Sequence, residues 1–115
     1  MKIIVAGSRT FNNYLLLKET LDNLDITITE IVCGEARGAD LLGKKYAYEK
    51  AIPCKSFYSD WQLYGRRAGF IRNHEMGDYA DYLVAFWDGK SRGTKDMITY
   101  MNSIGKHGKI VLFDN

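Results

Sequence analysis

Three short stretches of the chain combine glycine, arginine and a small hydroxyl or acidic residue. They are Gly7-Ser8-Arg9-Thr10-Phe11, Gly34-Glu35-Ala36-Arg37-Gly38-Ala39-Asp40 and Trp87-Asp88-Gly89-Lys90-Ser91-Arg92-Gly93-Thr94. This residue set suits a compact anion. Glycine lets a phosphate approach the backbone closely. Arginine offers paired donors to phosphate oxygens. Serine and threonine hydroxyls add further donors. Each stretch also has a plainer use. Gly34 and Gly38 could serve an ordinary β-to-α turn, although such a turn does not need Arg37. The stretch at 89–94 could be a solvated loop, and Ser8-Arg9 a capped turn with an exposed arginine. Trp87 could stack on a base or simply pack at a strand end. None of the stretches is G-x-G-x-x-G or G-x-x-x-x-G-K-[ST], which disfavours a P-loop NTPase.

A fourth group lies at Arg72-Asn73-His74-Glu75-Met76. On a helix, Arg72, Glu75 and Met76 share one side, and Asn73 points about 100° away. A surface helix with a local Arg–Glu pair would look the same. Only two histidines are present, His74 and His107, and neither forms a recognisable nucleophile–base set. No histidine or cysteine spacing suggests a metal. Cys33 and Cys54 are not in a C-x-x-C arrangement and read as buried free thiols.

These groups need elements to hold them. Residues 2–6 (KIIVA) form a compact apolar run that predicts a buried strand ending at Gly7. Residues 14–24 carry Leu17, Leu21 and Leu24 at helical spacing, with Asn12 or Asn13 as N-cap. A second strand is expected at 28–33 and a helix at 39–51. A third strand at 53–57 starts at Pro53, which suits a sheet edge. Residues 59–69 are irregular and hold Trp61, Tyr64, Arg66 and Arg67. Helices at 70–79 and 94–104 flank a strand at 82–86 (YLVAF), and a last strand is expected at 109–113 (KIVLF). Near-continuous apolar strands alternating with helices predict a parallel sheet covered on both faces. The expected fold is α/β: a Rossmann-like, doubly wound, five-stranded parallel sheet in a single domain over 1–115. In such a sheet ligands bind beyond the carboxyl ends of the strands, where all three glycine–arginine stretches fall.

The whole-chain numbers agree with one globular domain. The chain has 115 residues, 46% hydrophobic and 26% charged, with a formal charge of +2. That charge is too small to argue for a long polyanion. The arginines are placed more tellingly: Arg9, Arg37, Arg66, Arg67, Arg72 and Arg92 lie in or beside predicted loops. Met1 leads straight into a strand without a signal-peptide pattern, and no apolar run is long enough to span a bilayer. A cytoplasmic protein without membrane contact is expected. Many large aromatics in so small a chain predict exposed rings and a homodimer or higher homo-oligomer.

Together these motifs resemble a known family. Met-Lys-Ile-Ile-Val-Ala-Gly-Ser-Arg-Thr-Phe at the start, Gly-Glu-Ala-Arg-Gly-Ala-Asp at 34–40 and Asp-Trp at 60–61 resemble the YspA-type branch of the SLOG superfamily. So do Ile-Arg-Asn-His-Glu-Met at 71–76 and Ala-Phe-Trp-Asp-Gly-Lys-Ser-Arg-Gly-Thr at 85–94. The resemblance covers nearly the whole chain. It implies a Rossmann-like fold, an origin in bacteria or their phages, and a nucleotide, nucleotide-derived signal or nucleic acid as ligand. Lonely Guy phosphoribohydrolases and Smf/DprA proteins are relatives in that superfamily. The Lonely Guy enzymes carry R-K-x-x-M and P-G-G-x-G-T-x-x-E motifs. Arg72 and Met76 match the first, with Asn73 in place of lysine, and Gly93-Thr94 match part of the second. The catalytic glutamate would fall at position 97, where this chain has Met97. A thioether cannot move a proton or stabilise an oxocarbenium ion. Glu35, Glu75 and Asp88 are the carboxylates that could substitute.

The expected ligand-binding set is therefore Gly7, Ser8, Arg9, Gly34, Glu35, Ala36, Arg37, Gly38, Asp40, Arg72, Asn73, Trp87, Asp88, Gly89, Ser91, Arg92, Gly93 and Thr94. The expected ligand is a nucleotide-derived small molecule, with no cofactor or metal. Two other readings stand beside it: a nucleotide hydrolase using a non-standard carboxylate, and a single-stranded nucleic-acid binder. The low net charge and the lack of a lysine-rich stripe weigh against the last.

Overall fold

The computed structural model describes residues 1–114. Five strands form one sheet: β1 (Lys2–Gly7), β2 (Glu30–Cys33), β3 (Cys54–Ser56), β4 (Tyr82–Trp87) and β5 (Gly108–Leu112). Their order is β3-β2-β1-β4-β5 and every pairing is parallel. The apolar runs become strands because each can bury both faces. Ile3 and Val5 of β1 point into one core with Leu17, Leu21, Tyr46 and Ala47. Ile4 and Ala6 point into the other, with Met76, Met97 and Met101. Burying one such aliphatic side chain contributes about 1.5–3 kcal/mol. The doubly wound, Rossmann-like topology expected from the alternation is present.

The helices are α1 (Tyr14–Asp22), α2 (Ala39–Glu49), α3 (Trp61–Tyr64), α4 (Ala68–Tyr79) and α5 (Arg92–Ser103), with a 3₁₀ turn at Gly65–Arg67. α1 and α2 cover one face of the sheet and α4 and α5 the other. Asn13 is the N-cap of α1, its Oδ1 accepting from the Leu16 amide at 3.1 Å. Gly105 follows α5 at φ +75°, the left-handed conformation in which a helix commonly ends.

Several boundaries differ from the sequence expectation. β2 starts at Glu30 rather than at 28, because its ladder begins where Lys2 of β1 begins. α1 ends at Asp22 and α2 at Glu49, two residues early in each case. The segment after 59 is not wholly irregular: Asp60 caps the four-residue α3 by accepting from the Leu63 amide. α4 and α5 each start two residues earlier than expected.

The two thiols were expected to be buried. Cys33 is, but Cys54 is exposed, because β3 is a three-residue edge strand. Their sulfurs lie 3.5 Å apart. Burial and the neighbouring thiol push the Cys33 thiol up to about 12, so it stays protonated at neutral pH. Among the described residues no helix is long and apolar enough to cross a membrane.

Candidate functional site

β1 is central, and the chain switches sides of the sheet between β1 and β4. The loops leaving β1, β2 and β4 therefore converge at one end, around a cleft of about 980 Å³. That volume is at the upper end of the roughly 300–1,000 Å³ of small-molecule pockets.

Close packing between loops explains the glycines. Gly38 has φ +79°, and a Cβ there would lie 2.3 Å from the Ser8 carbonyl oxygen. The β2–α2 turn thus rests directly on the β1–α1 turn. A Cβ at Gly34 would meet the Arg72 guanidinium at 2.9 Å, and Arg72 Nη1 donates to the Gly34 carbonyl at 2.5 Å. Arg72 reaches from α4 under the second loop and holds it. Ser8 is buried, and its Oγ accepts from the Asp88 amide at 3.1 Å, tying the first loop to the third.

The third loop is braced from within. Asp88 Oδ1 accepts from the amides of Lys90 and Ser91, both at 2.8 Å. Trp87 turns its indole back on this loop and donates to the Ser91 carbonyl at 3.0 Å. Asn73 is buried and donates to the Gly93 carbonyl at 3.0 Å and to Asp96 at 3.2 Å. α4 and the first turn of α5 are thereby locked together. His74 joins the same contact, 3.2 Å from Asp96 and stacked on Tyr100.

Charge is divided unequally across the cleft. Arg9, Arg37, Arg66 and Arg92 are exposed along its lining. Among the described residues none of these four side chains is in an ion pair or hydrogen bond. The acidic groups are committed elsewhere. Glu35 receives a hydrogen bond from Lys44 at 2.5 Å and another from the Ser56 hydroxyl. Those two bonds hold its carboxyl below the usual carboxylate range, so it persists as an anion. Asp40 is buried in the first turn of α2, and burial raises its carboxyl to about 6 against the opposing pull of Arg72. It accepts from the Ala36 amide at 3.4 Å, inside the loop. The helices entered from the second and third loops, α2 and α5, have no side-chain hydrogen bond at their N-caps, Gly38 and Ser91. Their first-turn amides are available to an anion.

Most of the expected binding residues meet here: Gly7, Ser8, Arg9, Gly34, Glu35, Ala36, Arg37, Asp40, Arg72, Asn73, Asp88, Ser91, Arg92, Gly93 and Thr94 line the cleft. Three do not. Gly38 packs behind the lining, Gly89 sits on an exposed bend, and Trp87 faces its own loop. Of the three candidate carboxylates, Glu75 lies on the exposed side of α4, outside the cleft. Glu35 and Asp88 are in the cleft but tied by the bonds above. Met97 is buried and lines the cleft with Met76, so the position that aligns with the Lonely Guy glutamate is apolar. The binding set expected from the sequence left out Tyr58, Trp61, Arg66 and Phe70, which also line the cleft. Their signal was the interleaving of aromatics and arginines between 58 and 70.

Fold and cleft together define a Rossmann-like α/β domain with an arginine-lined cleft at the carboxyl end of its sheet. The chain belongs to the YspA, cpYpsA-related SLOG family, which its residues 1–64 match. It is also 30% identical over 103 residues to the gene 61 protein of Mycobacterium phage D29, across 82% of each chain. No solved structure matches the chain significantly.

Proposed function

We propose that this protein binds a nucleotide or nucleotide-derived phosphate ligand in the cleft at the ends of β1, β2 and β4. One observation carries the reading: Arg9, Arg37, Arg66 and Arg92 crowd a single cleft without partners among the described residues. Clustered guanidinium groups repel one another, and a bound phosphate converts that repulsion into attraction. The uncapped starts of α2 and α5 add amide donors to the same place. Membership of the SLOG family points to nucleotide-related ligands. Binding without turnover, as in a sensor, scavenger or carrier, suits the apolar Met97 and the low-pKa Glu35. A carboxylate held anionic cannot act as general acid at neutral pH.

The test is a thermal-shift panel of AMP, ADP-ribose and other mononucleotides. A concentration-dependent rise in Tm is expected for at least one. Arg9→Ala and Arg37→Ala should each weaken that ligand by about 10–100-fold, the worth of a charge-assisted hydrogen bond. Neither should lower the Tm of the free protein. A panel without any shift overturns the reading. Incubated nucleoside monophosphates should be recovered intact by chromatography; released base or phosphate would instead establish a hydrolase.

A further inference from the structure

The cleft also holds large aromatic rings. Tyr58, Trp61 and Phe70 all line it, at 71%, 62% and 42% exposure. Tyr58 and Trp61 come from the connection that carries α3, and Phe70 from the first turn of α4. None of the α3 residues is buried. The segment therefore gains little from packing, yet it holds the largest exposed rings of the cleft. Arg66 sits between Trp61 and Phe70 in the chain and lines the same space. A lipid chain or apolar peptide would not match such an arginine-bearing lining. A planar, polar heteroaromatic ring does, because it stacks on aromatic faces and on guanidinium planes.

We propose that Trp61 and Phe70 form a base-stacking platform, so that the ligand lies extended, with its phosphate at the arginine loops and its base on these rings. The inference rests on the phosphate reading above and adds what the ligand must carry: a nucleobase, not merely a sugar phosphate. It moves the stacking role from Trp87, whose indole is bonded to its own loop, to residues of α3 and α4.

Calorimetric titration of AMP against ribose 5-phosphate tests it. The protein is expected to bind AMP about tenfold or more tightly than ribose 5-phosphate, the usual scale of one stacked base. AMP should also quench the fluorescence of exposed Trp61. Trp61→Ala should erase the preference by weakening AMP far more than ribose 5-phosphate, and Trp61→Phe should keep most of it. Equal affinity of the unaltered protein for the two probes overturns the platform and leaves the phosphate reading standing. Binding of neither probe, together with no shift across the mononucleotide panel, overturns the phosphate reading itself. A short single-stranded oligonucleotide that bound more tightly than AMP, with that gain lost in Trp61→Ala, would overturn the single-base site in favour of a strand-binding track.

Discussion

Asp40 has the least ordinary environment in the cleft. Its carboxyl is buried in the first turn of α2 and raised to about 6 by that burial. The folded state thus holds the proton more tightly than the unfolded chain, whose carboxyl titrates near 4. The resulting stabilisation is complete below about pH 4 and is lost as pH rises through 6. Above that pH a charged group must stay buried, eased by Arg72 and the loop amides. Asp40→Asn removes the titration. Its stability relative to the parent should improve between pH 4 and pH 8, by at most about 3 kcal/mol for a shift of this size. Urea unfolding at the two pH values checks this, and a pH-independent difference would remove Asp40 as its source.

At the level of elements, the cleft depends on loops pressed against one another. Gly38 and Gly89 make a useful pair, because both have φ near +80° but differ in surroundings. Nothing lies within 4 Å of a Cβ built at Gly89, whereas at Gly38 it meets the Ser8 carbonyl. Gly89→Ala should cost only the backbone strain, about 1 kcal/mol. Gly38→Ala adds a clash with backbone that cannot rotate away, and should cost about 2–4 kcal/mol in all. Ligand affinity should fall with Gly38→Ala and hold with Gly89→Ala. Denaturant midpoints and titrations of the two variants measure the difference.

For the molecule as a whole, the formal charge is only +2, yet arginines without partners among the described residues gather at one end of the sheet. Such a protein attracts a small anion locally without offering a long cationic track. A double-stranded oligonucleotide should therefore bind weakly at physiological salt, with Kd of about 10⁻⁴ M or higher, the weak limit of non-specific binding. Fluorescence anisotropy against salt concentration checks it. A Kd well below that, with a steep salt dependence, would place the function among nucleic-acid binders.

What the chain determined by itself was the frame. Apolar strands at 2–6 and 82–86, each followed by glycine and a helix start, leave few alternatives to a parallel sheet with its loops at one end. That reasoning also located most of the cleft, because the strand–loop–helix pattern is local. Tertiary structure decided the rest, for three physical reasons. Helix faces are assigned only by what packs against them, so Glu75 could not be placed outside the cleft nor Asn73 recognised as a clamp between α4 and α5. Edge position depends on strand order, so the exposure of Cys54 was hidden in an apolar run. The 58–67 stretch has no periodicity, and only the tertiary fold brings Trp61, together with Phe70 of α4, into the lining of the same cleft as the arginines of loops distant in sequence.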